Sequence, residues 1–223
     1  MAKSRNTSQR IRRNKRLVYF VVIIGVGALL LSSGLAYFGS APRAQTPAGA
    51  GELAELQYRI SQYEQSLEST PGNLYLLTQL GNSYYQLGVY YSSNNDEARS
   101  SESFGKAMEP YGKALEIEPD DVNVRVDRAV CAFWSDNYDI AEAEFETAIA
   151  TDPTHAKAFF NYGIFLYLGL NRPTEALEKW NAVIELNPLD DPQLVANARN
   201  WFNAVEEELS NPPQFDTTPQ PQN

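Results

Sequence analysis

The chain has 223 residues, 43% hydrophobic and 21% charged, an ordinary composition for a folded protein. Its net charge of −10 is unevenly placed: residues 1–38 hold seven basic and no acidic residues, leaving −17 on the remainder. So acidic a body repels phosphate backbones and excludes nucleic acid as a partner. The acid excess is read as a solubility feature in preference to an acidic docking surface.

Lys3, Arg5, Arg10, Arg12, Arg13, Lys15 and Arg16 make residues 1–16 a basic head. Residues 17–38 (LVYFVVIIGVGALLLSSGLAYF) then run 22 positions without a charge. At about 1.5 Å per residue they span a hydrocarbon core of roughly 30 Å. Tyr19, Tyr37 and Phe38 stand near the two ends, where interfacial aromatics belong. The positive flank predicts a single-pass helix in the cytoplasmic membrane, with the N-terminus inside and the acidic body outside. A cleaved signal peptide would show an apolar core of about 7–15 residues and a small-x-small site close behind. This core is longer, and Ala48-Gly49-Ala50 lies well beyond it. Ala28, Ser32 and Ala36 fall four apart near Gly25, a stripe through which two such helices could approach as a homo-oligomer. Residues 39–51 (GSAPRAQTPAGAG) read as a flexible tether.

Helical periodicity fills residues 52–209. Leu53, Leu56, Ile60, Tyr63 and Leu67 mark a first helix over 52–69, which Pro71 ends. Leu77, Leu80, Gly81 and Tyr84 open the next, and about 14 inserted residues (VYYSSNNDEARSSE) follow. They are expected as a loop or as an N-terminal extension of the following helix from Asp96. Pro110 inside that helix predicts a kink. Further on, Arg125 and Arg128 fall where large apolar residues are expected. Either they snorkel to acidic partners, or the buried stripe moves onto Val122, Val126, Ala129 and Phe133. A later turn, Gly169-Leu170-Asn171-Arg172-Pro173, offers Asn171 or Thr174 as a cap. A last helix over 192–209 carries Leu194, Val195, Ala198, Trp201, Phe202 and Val205 on one side. Residues 210–223 contain four prolines and read as a disordered tail.

One frame recurs in this region: Ala107-Tyr111-Ala114-Pro119, Ala141-Phe145-Ala148-Pro153 and Ala176-Trp180-Val183-Pro188. The prolines stand 34 and 35 residues apart, and small residues precede them at fixed steps. The pattern resembles the tetratricopeptide repeat, two antiparallel helices per unit. The resemblance implies an all-α, right-handed superhelical stack of about three repeats, at 72–119, 120–153 and 154–188. Residues 52–71 and 192–209 would cap its ends. In that family the first helices line a concave groove. The ligand-facing positions would be Tyr75, Thr78, Asn82, Tyr85 and Gln86 in the first repeat, and Asn123, Val126, Val130, Phe133 and Trp134 in the second. In the third they would be Lys157, Phe160, Ile164, Tyr167 and Leu168. Such an aromatic and aliphatic lining suits an extended or helical apolar peptide, although several of these residues could equally be core. Repeats that clamp a C-terminal carboxylate need basic donors. Here only Asn82 and Lys157 match, while Thr78, Asp127 and Asn161 do not.

Catalytic chemistry has little to work with. Cys131 and His155 are single, so neither a zinc site nor a nucleophile–base pair can be assembled from Cys and His. Cys131 beside Val130 and Ala132 reads as a buried apolar residue. Asp120-Asp121 and Asp190-Asp191 fall at helix starts, where the helix dipole favours them. No cofactor and no enzymatic activity are expected. The expected role is an anchored scaffold that binds a protein or peptide partner in an envelope or secretion assembly. Two narrower expectations are presentation of apocytochrome in cytochrome c maturation and a self-associating structural protein.

Overall fold

A computed structural model describes residues 50–211. The basic head, the uncharged run over 17–38, the tether up to residue 49 and the tail past 211 lie outside the described residues. Those described form eight α-helices and no strand: α1 (Ala50–Ser69), α2 (Leu74–Ser93), α3 (Glu97–Ile117), α4 (Val122–Trp134), α5 (Tyr138–Thr151), α6 (Ala156–Leu168), α7 (Pro173–Leu186) and α8 (Pro192–Ser210). Among them no helix is long and apolar enough to cross a membrane.

Helices pair antiparallel through very close contacts. A Cβ on Gly81 of α2 would stand 2.5 Å from the Tyr111 ring of α3, and one on Gly163 of α6 would stand 2.5 Å from Trp180 Nε1 of α7. Only glycine lets the two axes approach over these rings. Farther along the first pair, Phe104 packs against Gly88, and the Ser100 hydroxyl donates to the Gly88 carbonyl at 2.9 Å. The inserted residues therefore form no long loop. They lengthen both helices, with a short turn at Asn94–Asp96. Asn95 takes the left-handed region (φ 59°), which asparagine tolerates, and Asp96 accepts from the Arg99 N–H as N-cap. Helix α3 runs through the buried Pro110 over 21 residues without ending there.

Every helix packs on its chain neighbours, and α4 meets α6 directly, as α6 meets α8. The recurrent small and aromatic residues form the seam: Ala107, Tyr111 and Ala114, then Ala141, Phe145 and Ala148, then Ala176, Trp180 and Val183, each at most 1% exposed. At this spacing, small residues admit the neighbouring backbone and the aromatic fills the space beneath its glycine or alanine. Cys131 is fully buried.

The alternative posed by Arg125 and Arg128 resolves in favour of both halves. Val122, Val126, Ala129 and Phe133 are buried, and the two guanidiniums converge on one carboxylate, Glu144 of α5. Arg125 Nη1 donates to Glu144 Oε2 at 2.7 Å, and Arg128 Nη1 donates to Oε1. Arg125 also donates to the Pro119 carbonyl at 2.5 Å, fastening the preceding turn. The cap expected from Asn171 or Thr174 is absent. Asn171 instead adopts φ 57° in the turn, and Arg172 fills the cap position without a side-chain cap bond. Its guanidinium joins Glu175 and Glu142, tying α7 to α5.

Candidate partner-binding groove

First helices α2, α4 and α6 carry the expected groove residues, and the structure divides them. Val126, Phe133, Trp134, Ile164 and Leu168 are between 2% and 7% exposed, so the expectation that they line an open groove is corrected: they belong to the core. The cause is positional. Helix α4 is packed by α3, α5 and α6, which leaves little of its circumference free. Phe133 lies edge-on to Phe165 at 5.4 Å, and Trp134 lies 4.5 Å from Phe133 and 6.4 Å from Phe104.

The remaining positions keep some accessible surface. Tyr75 is 65% exposed at the start of α2, and Asn123 and Lys157 are exposed near the starts of α4 and α6. Thr78, Asn82, Tyr85, Gln86, Val130, Phe160 and Tyr167 are partly buried. Tyr85 meets Phe104 edge-on at 5.4 Å, and Val130 and Phe160 pack against the core with one side. The Tyr167 hydroxyl donates to Glu208 of α8 at 2.5 Å, and its ring lies 6.0 Å from Trp201, so the terminal helix closes that end of the surface.

The polar residues are fixed by their neighbours. Asn82 accepts from the Tyr111 hydroxyl at 2.7 Å, which couples a groove residue to the aromatic under Gly81. Asn123 pairs with His155 Nε2 at 3.1 Å across the second and third repeats. The other His155 nitrogen, Nδ1, accepts from the Ala158 N–H at 3.1 Å and caps α6. An accepting Nδ1 places the proton on Nε2, so His155 donates to Asn123. Asp121 and Asp191 cap α4 and α8 by accepting from Val124 and Leu194.

Asp127 of α4 is the group whose importance the sequence did not bring out. Burial is the main cause that raises its carboxyl to about 7, Asp121 pushes the same way, and Lys157 opposes them. The only hint in the sequence is an acid standing where a carboxylate clamp needs an amide. Among the described residues, no group of three or more His, Cys, Asp or Glu side chains could hold a metal ion.

Residues 98–159 match the family described as tetratricopeptide repeat. A curated relative, the small glutamine-rich tetratricopeptide repeat-containing protein 2 of Mycosarcoma maydis, is 28% identical over 99 residues. That alignment takes in 44% of this chain and 28% of the relative's own length. The fold is similar to a crystal structure of MamA protein, with 17% identity and a TM-score of 0.51, covering 74% of this chain and 91% of that one. A second MamA crystal structure aligns at 17% identity and a TM-score of 0.48, covering 75% and 97%. The tetratricopeptide repeat match lies on residues 98–159, and the recurring frame and the glycine-mediated helix contacts carry the same paired-helix pattern into the helices on either side.

Proposed function

We propose that the chain is a membrane-anchored scaffold whose first helices bind an extended segment of another protein outside the cytoplasmic membrane. The observation that carries the binding reading is the row formed by Tyr75, Thr78, Asn82, Tyr85, Asn123, Val130, Lys157 and Phe160. It spans three successive first helices and retains accessible surface. Aromatic side chains there supply rigid contact area, and the amides orient a backbone. The uncharged run over 17–38, behind seven basic residues, supports the anchor and its direction.

Photocrosslinking in cells tests the binding face. A benzophenone amino acid at Tyr75 or Asn123 is expected to trap a protein, while one at Lys106 on the second helix of the first pair is not. Equal trapping from both sides would refute the concave assignment. The trapped species also separates the narrower cases: an apocytochrome supports a place in cytochrome c maturation, and a second copy of this chain supports self-association. For the anchor, alkaline phosphatase fused after Asn223 is expected to be active, and an inactive, stable fusion would overturn the orientation.

A further inference from the structure

The groove contains a carboxylate with nothing to hold. Asp127 sits in the middle of α4, on the first helix between those that carry Asn82 and Lys157. It is partly buried, and no hydrogen bond or ion pair reaches it among the described residues. Carboxylates that serve the fold look different. Glu144 is held by Arg125 and Arg128, and Glu142 by Arg172. The neighbouring phenol is no donor to Asp127, because the Tyr111 proton is committed to Asn82. Lys157, exposed on α6, acts on it through space and only partly opposes the effect of burial. An unpaired, half-buried acid on this row has acceptor oxygens left for a donor that a ligand supplies.

Resting on the groove reading above, we propose that Asp127 is the specificity point of this surface: it receives a Lys or Arg side chain from an extended peptide laid across α2, α4 and α6. The chemistry favours a cation over the carboxylate terminus taken by basic clamps. An ammonium or guanidinium gives a charge-assisted bond to Asp127, whereas Thr78 and Asn161 bring no positive charge. The body beyond residue 38 adds a formal −17 that attracts a basic segment. The raised carboxyl agrees with this placement, since a bound cation would stabilise the charged form that burial disfavours.

The test selects from a bead-displayed library of random nonapeptides, N-acetylated and C-amidated so that neither end carries charge. The bait is the full chain in detergent. Wild type is expected to enrich sequences with Lys or Arg at one fixed position. Replacing that residue by norleucine should weaken binding by about tenfold or more. The isosteric Asp127→Asn variant is expected to lose the preference while still binding through apolar contacts. The Lys106→Gln variant, on the second helix of the first pair and outside the groove row, should keep it. Enriched sequences without a cation, a cation preference that survives Asp127→Asn, or one that is lost equally in Lys106→Gln would overturn the inference and leave the groove reading standing. Enrichment of no sequence at all would overturn both.

Discussion

His155 closes the N-terminus of α6 with a ring nitrogen, and that choice ties stability to pH. Burial, with Lys157 adding, holds the imidazole below its ordinary 6.5, and Asp152 and Asp121 oppose it. Protonation would also remove the lone pair that accepts from Ala158. Because the folded value is the lower one, the stabilisation is complete above pH 6.5. It is lost as pH falls through that value and on through the folded one. His155→Asn keeps an accepting cap without the titration. Lowering the pH from 7.5 to 5 should therefore reduce the urea midpoint of wild type more than that of His155→Asn, and equal reductions would contradict the assignment. Glycines provide a second contrast. Gly163→Ala forces a methyl to within 2.5 Å of the Trp180 ring, and overpacking of this kind costs about 1–3 kcal/mol. Gly105 of α3 has only the Ser135 Cβ at 3.8 Å, so Gly105→Ala is expected to stabilise by about 0.5–1 kcal/mol through helix propensity. Thermal melts of the two variants should move in opposite directions.

At the scale of elements, α4 and α5 are joined by a three-residue charge cluster inside an otherwise apolar layer. Arg125, Arg128 and Glu144 have side chains 14%, 27% and 10% exposed, so partial solvation moderates the energies. Glu144→Ala leaves two positive charges facing each other, with only the Pro119 carbonyl still accepting from Arg125, and is expected to cost about 2–4 kcal/mol. The triple change Arg125→Leu, Arg128→Met, Glu144→Leu should recover most of that loss, as apolar replacements of buried ion clusters often do. Failure of the triple variant to exceed Glu144→Ala in chemical denaturation would show that the cluster itself, and not merely its completeness, stabilises the pair. The cluster also shows where the sequence was readable and where it was not. The stripe Val122, Val126, Ala129 and Phe133 followed from helical period, and so did the three frames ending in Pro119, Pro153 and Pro188. A partner for the arginines did not, because Glu144 differs from its acidic neighbours Glu142 and Glu146 only in which side of α5 it faces. The same limit explains the groove. Carry-over by repeat position placed Asn82, Asn123 and Lys157 on accessible surface. It could not see that packing on three sides of α4 would bury Phe133 and Trp134. Asp127 was legible only as a mismatch, since the rise of its carboxyl comes from burial by neighbouring helices and from repulsion by Asp121.

Across the whole molecule the stack is quasi-linear, so stability should vary from end to end. Most of the core is one continuous cluster running from Leu77 to Val205. Helix α1 is less tied in: among the described residues it packs mainly on α2, through a small cluster of Leu56, Ile60, Leu80, Leu87 and Tyr91, and Leu67 reaches the edge of the main cluster. Its other anchors are polar and accessible, such as the Tyr84 hydroxyl donating to Glu64 at 2.5 Å and Arg59 donating to Gln86 at 3.1 Å. The opposite end is secured differently. Trp201 of α8 stacks on Trp180 at 5.5 Å, and Ala198 and Val205 are buried, which ties α8 into the main cluster. Helix α1 should accordingly open as a separate unit, at lower free energy than α4–α6. Native-state hydrogen exchange is expected to show amides of α1 exchanging first, then α2, with the slowest set in α5 and α6. Leu56→Ala should speed exchange in α1 while leaving the slowest amides unchanged, because its burial is shared only with α2. Phe145→Ala, at the centre of the main cluster, should lower protection across α4–α7 together and cost about 3–5 kcal/mol. If Leu56→Ala instead lowers the protection of α5 and α6 by the same amount as that of α1, the two clusters form one cooperative unit. The end helix would then be part of the core rather than a cap laid over it.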